Sequence, residues 1–351
     1  MPVKLSRCAS VVLGVSFLAA QAPYADKADL LYYVNRQGVR RPVRTPSDWR
    51  HRRDHILAAM QEVMGPLPPR SAAPFDIQVL EEAHEAGFTR KKITYASPDG
   101  DRVPAYLFQP QAGGGRGPAM LCLHQTVDIG KAEPAGLGGK PNLHYALELA
   151  QRGYVTLAPD YPGFGDYKID VYAMGYASAT MKGISNHIRA VDLLASLPEV
   201  DPARIGVIGH SLGGHNSLFL AVFDPRIAAV VTSCGFTSFP KYYGGDLTGW
   251  SHKGYMPRIA SEYGKSSERM PFDFPEVLGA IAPRPVFINA PARDANFEMS
   301  GVDDCVRSAR MVYARLFHAQ DRLIVVHPDC EHDFPPAVRE QAFRWLAAEL
   351  N

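Results

Sequence analysis

The 351-residue chain has few cysteines and almost no excess of charge of either sign. Its five cysteines are scattered and form no CxxC or CxxxC pair, which argues against a disulfide framework and a thiolate zinc site. With 37 basic and 36 acidic side chains, the chain lacks the basic surplus that nucleic-acid phosphates require. No stretch reaches the roughly 18 consecutive apolar residues of a membrane span. We therefore expect no nucleic-acid partner and no integral membrane association.

The composition that remains is that of a globular chain. Hydrophobic residues make up 46% and charged residues 21%, while 30 glycines and 29 prolines indicate many turns. This length is sufficient for one large domain with a substantial core.

The N-terminus has the pattern of a secretory signal. Lys4 and Arg7 precede a mostly apolar run, Ala9–Ala20, and a small-x-small motif ends at Ala22. Residues 1–22 are therefore predicted to be a signal peptide, which implies a secreted or periplasmic protein. The alternatives are a buried N-terminal helix in a cytoplasmic protein and a start codon placed too early, and Pro23 is a poor context for cleavage after Ala22.

Residues 23–74 are predicted to form an N-terminal helical extension. Its helix runs from Trp49 to Met64, with a cap at Ser47-Asp48 and a stop in the proline-rich segment that follows. Three antiparallel strands are expected next, at Phe75–Glu81, Phe88–Tyr95 and Val103–Phe108.

From Ala119 onward strands alternate with helices. This pattern predicts a single α/β domain over residues 75–351, with a mostly parallel, doubly wound sheet behind the antiparallel N-terminal strands. Expected strands are Ala119–Leu123, Tyr154–Ala158, Ile205–Ile208, Ala228–Thr232, Pro285–Ile288 and Leu323–Val326; expected helices are Leu143–Arg152, Asn186–Ser196 and one from about Leu212. Residues 236–280 interrupt the alternation and are a candidate lid, or else a plain surface excursion.

Gly209-His210-Ser211-Leu212-Gly213 fits the pattern G-x-S-x-G. A strand pattern leads into it and a helix pattern leaves it, the context in which glycines permit a tight turn that exposes the serine hydroxyl. We predict that Ser211 is a nucleophile and that the Leu212 amide faces the oxyanion formed on an attacked carbonyl. The alternative is a serine that merely caps the helix.

This turn, together with Leu121-Cys122-Leu123-His124-Gln125 and the segment from Ala158 to Asp166, resembles the α/β-hydrolases. The similarity extends from about residue 75 to the end and is greatest to the esterase, dienelactone-hydrolase-like and acetyl-xylan-esterase-like branches. It implies a serine hydrolase that cleaves a small carboxylic ester through an acyl-enzyme, including acetyl or methyl esters of carbohydrates. Dienelactone-hydrolase-like or peptidase activity and a non-catalytic binding protein on the same scaffold are the alternatives.

A serine nucleophile needs a base, and in this fold the base follows the acid along the chain. His332 lies in the loop before the last helix pattern, where the resembled family carries its base; His327, at the end of the last strand, is the rival. His215, His252 and His318 also follow Ser211 but lie in helices or in the candidate lid.

The acid should orient the imidazole and stabilise imidazolium. Asp294 follows the strand Pro285–Ile288 and fits the family position. Asp303 and Asp304 are better explained as helix-cap or solvated charges, and Asp160 by turn chemistry.

The second oxyanion amide is expected from Gln125 or Thr126, in the loop after the first buried strand. Many relatives carry His-Gly there, whereas this chain has His124-Gln125, and His124 itself is interpreted as a structural hydrogen-bonding residue. No H-E-x-x-H motif or phosphate-loop spacing occurs, so no metal and no cofactor is predicted.

The candidate lid is rich in aromatic residues. They either stack against the substrate or anchor the segment to the core, and the sequence favours neither. They are Phe236, Phe239, Tyr242, Tyr243, Trp250, Tyr255, Tyr263, Phe272 and Phe274.

Overall fold

The computed structural model describes residues 24–111 and 115–350, so the predicted signal peptide lies outside the described residues. The strands of the described chain are β1 (Tyr32–Val34), β2 (Arg40–Pro42), β3 (Gln78–Glu85), β4 (Phe88–Ala96), β5 (Arg102–Pro110), β6 (Gly117–Leu123), β7 (Val155–Pro159), β8 (Val200–His210), β9 (Ile227–Ser233), β10 (Val286–Asn289) and β11 (Leu323–Val326). Its α-helices are α1 (Pro46–Met64), α2 (Tyr145–Ala150), α3 (Ala179–Ser196), α4 (Leu212–Phe223), α5 (Arg258–Ser261), α6 (Phe274–Ile281), α7 (Met299–Phe317) and α8 (Pro336–Leu350).

One large sheet organises the domain, in the strand order β11-β10-β9-β8-β6-β7-β5-β4-β3. The strands from β7 through β6 to β11 pair in parallel, whereas β3, β4 and β5 pair antiparallel and β5 joins β7 antiparallel. The short strands β1 and β2 pair with each other outside this sheet. The predicted α/β class, with a mostly parallel sheet and antiparallel N-terminal strands, is confirmed.

Helices cover both faces of the parallel strands, which explains why these strands are continuously apolar. Successive residues of β8 point to opposite faces: Val207 packs in a core that includes Leu218 of α4, and Ile208 packs in a second core that includes Leu346 of α8. Both side chains are fully buried. The sheet therefore has two apolar layers, and side-chain chemistry is left to the strand ends.

The N-terminal extension differs from the prediction in the residue that caps its helix and in containing two short strands. Thr45, not Ser47-Asp48, caps α1: its side chain accepts from the Asp48 amide, and the Asp48 carboxylate accepts from the Thr45 amide. Asp48 therefore serves as the reciprocal partner of a capping box rather than as the cap. The extension also contains β1 and β2, so it is not purely helical.

The extension packs on the end of the candidate lid. Arg52 of α1 is fully buried and its guanidinium lies 2.8 Å from the carboxylate of Glu276 in α6. The first predicted strand is also displaced, because β3 begins at Gln78 rather than at Phe75. Asp76 has a φ of 44°, which is incompatible with an extended strand at that point.

Among the residues that the structure describes, no helix is both long enough and apolar enough to cross a membrane.

Candidate active site

Ser211 lies on a sharp turn between β8 and α4. Its φ is 54°, in the left-handed region, and its amide donates a hydrogen bond to the Ser233 carbonyl at 2.8 Å. The turn requires glycine on both sides, because a Cβ at Gly209 would collide with the Gly213 carbonyl and one at Gly213 with the Leu123 carbonyl. The sequence pattern G-x-S-x-G thus corresponds to a turn that only glycines can close.

Asp294 and His332 are brought together by the carboxyl ends of β10 and β11. His332 Nδ1 lies 2.8 Å from Asp294 Oδ2. The other carboxylate oxygen of Asp294 accepts from the amides of Asn296 and Phe297, at 2.9 and 3.2 Å, so the carboxylate is held in one orientation. This arrangement assigns the Nδ1 proton to the Asp294 side and leaves Nε2 of His332 free to accept one.

His327, the rival base, is engaged elsewhere. Its Nδ1 donates to the Ala290 carbonyl at 2.7 Å, and its Nε2 lies 3.0 Å from the carboxylate of Asp303. Both ring nitrogens are therefore committed to structural contacts. The carboxylate of Asp303, a rival acid, is likewise committed to its contact with His327.

The other rival acids also have charged partners. Asp304 binds Lys241 at 2.7 Å, and Asp160 is buried against the ammonium of Lys131 at 2.8 Å. Neither carboxylate has a hydrogen bond with His332 in the described structure.

Ser211 and His332 line one cavity of about 320 Å³. No hydrogen bond joins their side chains in the described structure. The cavity wall is formed by Gln125, Thr126, Ser211, Leu212, His215, Tyr242, Gly249, Trp250, Tyr255, Asn296, Phe297 and His332. All six predicted site residues except the buried acid Asp294 therefore face this cavity.

The loop after β6 is held by hydrogen bonds. His124 Nδ1 donates to the Gln125 carbonyl at 2.6 Å, while its Nε2 accepts from the Tyr161 amide at 2.9 Å. Burial lowers the pKa of His124, so the ring is neutral and can play both roles. The Gln125 side chain donates to Glu133 at 3.0 Å. His124 thus makes the contacts expected of a structural residue, while the oxyanion roles of Leu212, Gln125 and Thr126 stay predictions.

Three aromatic residues of 236–280 reach the cavity wall. Tyr242, Trp250 and Tyr255 line the cavity, and the Tyr255 hydroxyl lies 2.6 Å from the Thr126 hydroxyl. The remainder are core residues, apart from the partly buried Tyr263 and the exposed Tyr243; the fully buried members are Phe236, Phe239, Phe272 and Phe274. Tyr242 and Trp250 also belong to the apolar core, so anchoring to the core is observed for most of these rings. Stacking of the cavity-lining rings against a substrate and movement of the segment as a lid stay predictions.

Several residues at the site belong to no sequence motif and were not predicted. Asn296 and Phe297 line the cavity and orient Asp294 through their amides. Asn289, the last residue of β10, donates to the Asp333 carbonyl at 2.9 Å and so fixes the loop that carries His332. A polar residue at the carboxyl end of an otherwise apolar strand was the available signal for Asn289.

His332 is part of a group of residues of the types that bind metal ions. One ligand atom each of His210, Cys234 and His332 lie within 4.8 Å of one another. His332 already uses Nδ1 to bind Asp294, and burial raises the pKa of the Cys234 thiol, which favours its protonated form. The three residues are far apart in sequence, so no motif of short spacing predicted this group.

Comparison with known proteins supports the fold. Residues 142–274 match the prolyl oligopeptidase family. The chain is 28% identical over 299 residues to the presumed hydrolase YtaP of Bacillus subtilis, covering 81% of this chain and 95% of that protein.

Solved structures with a similar fold include two carbohydrate esterases. The glucuronoyl esterase from Solibacter usitatus has a TM-score of 0.73 at 20% identity, over 95% of this chain and all of that one. The acetyl xylan esterase from Paenibacillus sp. R4 has a TM-score of 0.58 at 19% identity, over 84% of this chain and 99% of that one. With its sheet order and its strand–serine–helix turn, the chain has the α/β-hydrolase fold.

Proposed function

We propose that the protein is a serine hydrolase that cleaves carboxylic esters through an acyl-enzyme intermediate. The observation that carries this proposal is the hydrogen bond between His332 and Asp294, together with the cavity that both His332 and Ser211 line. A serine on a strained turn, an imidazole and a buried carboxylate are the parts that nucleophilic acyl transfer needs.

In the proposed mechanism, Ser211 Oγ attacks the ester carbonyl while Nε2 of His332 takes its proton. Asp294 stabilises the imidazolium, and the amides of Leu212 and of Gln125 or Thr126 bind the developing oxyanion. The carbon–oxygen bond to the alcohol then breaks, and His332 returns the proton to the leaving alkoxide. Water, deprotonated by His332, then attacks the acyl-serine. The bond between the acyl carbon and Ser211 Oγ breaks, His332 returns the proton to Oγ, and the acid is released.

The substrates that we propose are acetyl or methyl esters of carbohydrates. Proteins of similar fold include a glucuronoyl esterase and an acetyl xylan esterase. The cavity also offers Tyr242, Trp250 and Tyr255, whose rings suit the apolar faces of sugars and whose polar atoms suit hydroxyl groups. Both observations support a small ester with a carbohydrate part.

Covalent labelling by a fluorophosphonate tests the proposal directly. Wild-type protein should be labelled, and Ser211→Ala should lose both the label and the hydrolysis of nitrophenyl acetate. Ser217→Ala, a buried serine farther along α4, is the matched control and should keep both. A labelled Ser211→Ala variant would contradict the assignment, and an unlabelled, inactive wild type would favour a binding protein.

Peptidase activity is the second candidate, because residues 142–274 match the prolyl oligopeptidase family. That match includes Ser211 but ends before Asp294 and His332. It therefore supports the proposed nucleophile and gives no information on the acid or the base. Rates on a peptide anilide, a lactone and a nitrophenyl ester, each abolished by Ser211→Ala, would rank the three activities. We expect the ester to be cleaved fastest, and a faster peptide would reverse the proposal.

We further propose that the protein is secreted or periplasmic. The support is the sequence pattern of Lys4, Arg7 and the apolar run that follows. Expression with and without residues 1–22, followed by cell fractionation, should show export only for the longer form. Retention of the full chain in the cytoplasm would contradict this proposal.

A further inference from the structure

Three side chains that bind metal ions in other proteins meet where β8, β9 and β11 end. One ring nitrogen of His210, one of His332 and the sulfur of Cys234 lie within 4.8 Å of one another. The two rings are in edge-to-face contact, with centroids 4.8 Å apart. A tetrahedral zinc ion, with bonds of about 2.0–2.3 Å, holds its ligand atoms about 3.3–3.8 Å apart. An approach of at most about 1.5 Å therefore brings the three atoms to coordination distance.

His210 has a ring nitrogen without a partner. The side chain is fully buried, and its Nε2 makes no hydrogen bond to any described residue, while Nδ1 lies 2.9 Å from the Ser233 hydroxyl. That hydroxyl accepts from Asn289 Nδ2 at 2.9 Å and donates to the Cys234 sulfur at 3.9 Å. Because its only proton is then used, we assign the N–H of His210 to Nδ1, which donates to Ser233. Nε2 of His210 thus has a free lone pair, as a metal ligand must.

His332 also has one nitrogen left for a metal ion. Its Nδ1 lies 2.8 Å from the Asp294 carboxylate, so Nε2 is the free one. A histidine that binds metal through one nitrogen usually donates its other N–H to a carboxylate or another acceptor, which fixes the ring. Asp294 does this for His332, and Ser233 does it for His210. Both rings are therefore oriented as metal ligands are.

The thiol of Cys234 is the third ligand group. It is 2% exposed and donates to the Asp333 carbonyl at 3.4 Å, with the Asp294 carboxylate as a second acceptor nearby. These acceptors favour the protonated thiol when no cation is present. A divalent ion that binds the sulfur displaces this proton to solvent, so one proton is released for each ion bound.

The ligand set determines the class of ion. Two imidazole nitrogens and one thiolate suit zinc and the softer cadmium, whereas magnesium and calcium take oxygen ligands. His332 gives access, because its side chain is 20% exposed and borders two cavities, of about 320 and 630 Å³. An ion from solvent therefore reaches this ring before it reaches the two buried ligands.

We propose that His210, Cys234 and His332 form an inhibitory site for zinc. The ion binds Nε2 of His332, the atom that takes the proton of Ser211 in the proposed mechanism. Acylation therefore stops until a chelator removes the ion. Zinc binding is independent of the proposed esterase function, whereas inhibition rests on it.

Titration with cadmium tests binding without any use of catalysis. A cadmium–thiolate bond absorbs in the ultraviolet, so wild-type protein should gain this absorption band and lose it when zinc is added in excess. Cys234→Ser keeps the size of the side chain but offers no thiolate, and it should not gain the band. Cys305→Ser is the matched control, because it makes the same change at a buried cysteine of α7 outside the group.

Two further variants test the nitrogen ligand and its partner. His210→Gln removes the ligand nitrogen, and Ser233→Ala removes the group that orients it. We expect Ser233→Ala to weaken cadmium binding by about 10–100-fold, the usual cost of losing an outer partner, and His210→Gln to weaken it more. Wild-type affinity in a folded His210→Gln protein, checked by circular dichroism, would overturn the proposal even if Cys234→Ser did not fold.

Inhibition is measured by fluorophosphonate labelling of Ser211. Zinc should slow the labelling of wild-type protein and of Cys305→Ser, and EDTA should restore it. In Cys234→Ser and His210→Gln, each compared with its own rate without metal, zinc should have a much smaller effect. Equal inhibition in these two variants, or a cadmium–thiolate band that persists in Cys234→Ser, would overturn the proposal.

Ser211→Ala separates the metal site from the serine mechanism. This variant should bind cadmium as tightly as wild-type protein, although it hydrolyses no ester. A wild type that binds cadmium through Cys234 but is inactive on every ester would contradict the proposed function and support the metal site. A wild type whose hydrolysis is unaffected by saturating zinc would support the function and overturn the inhibitory site.

Discussion

His332 Nδ1 lies 2.8 Å from Asp294 Oδ2, and the other oxygen of Asp294 is held by two backbone amides. The carboxylate therefore cannot turn away from the imidazole without losing three hydrogen bonds. The hydrogen bond between the two residues joins the loops after β10 and β11. We expect its removal to lower the rate of the proposed reaction.

Asp294→Asn should lower kcat by roughly 10⁴-fold with little change in folding, because the amide favours the wrong imidazole tautomer. Asp303→Asn, which alters the contact with His327 instead, is the control and should change kcat less than threefold, about the scatter of surface substitutions. Steady-state kinetics on a nitrophenyl ester measure both variants. Equal losses in the two would show that Asp294 is not the acid.

His332→Ala should be nearly as inactive as Ser211→Ala, because residues that act as a unit lose activity together. His327→Ala should retain most of its activity, since both nitrogens of that ring make structural contacts. Single-turnover acylation rates distinguish the two histidines. The opposite ranking would move the base to His327.

Gly213→Ala should destabilise the protein by about 3 kcal/mol or more, because its Cβ would collide with the Leu123 carbonyl oxygen, and backbone cannot move aside cheaply. Gly117→Ala is the control, since a Cβ there meets no atom within 4 Å. Urea denaturation measures the free energy of unfolding. A folded, active Gly213→Ala would mean that the turn relaxes more than the structure indicates.

Phe274→Ala should cost about 3–5 kcal/mol of stability, the usual range for a buried phenylalanine. Tyr243 is 60% exposed, so Tyr243→Ala should change the free energy of unfolding by no more than about 0.5 kcal/mol. Thermal unfolding of both variants tests the division of the aromatic segment into core and surface. Similar melting temperatures for the two would contradict that division.

Acid should destabilise the protein through buried histidines. Burial lowers the pKa of His187 to about 3, whereas an unfolded histidine titrates near 6.5. Between about pH 3 and pH 6.5, residue 187 is protonated in the unfolded chain and neutral in the native state. The stability contributed by His187 is therefore complete above about pH 6.5 and is lost as pH falls, by about 1.4 kcal/mol per pH unit.

His187→Phe should flatten the fall in unfolding free energy between pH 6.5 and 5, as measured by urea titrations at each pH. His84→Gln is the control, because that ring is largely exposed before and after unfolding. An unchanged slope in His187→Phe would show that another group carries the acid sensitivity.

The sequence alone determined the alternation of strands and helices and the position of the serine turn. Both depend on local chemistry: a strand buried on two faces must be apolar, and only glycine closes the turn at residues 209 and 213. The proposed base and acid were predicted from chain order in the resembled fold, and the structure brings His332 and Asp294 into contact.

Only the tertiary structure decided which aromatic residues face the cavity, that His210 and Cys234 lie beside His332, and that the rings of His215 and Trp250 are neighbours in the cavity wall. Phe274 and Tyr243 belong to the same aromatic-rich segment, yet one is fully buried and the other is 60% exposed. The reason is physical: side-chain burial is set by contacts between elements far apart in the chain, and no local pattern encodes which surfaces will meet.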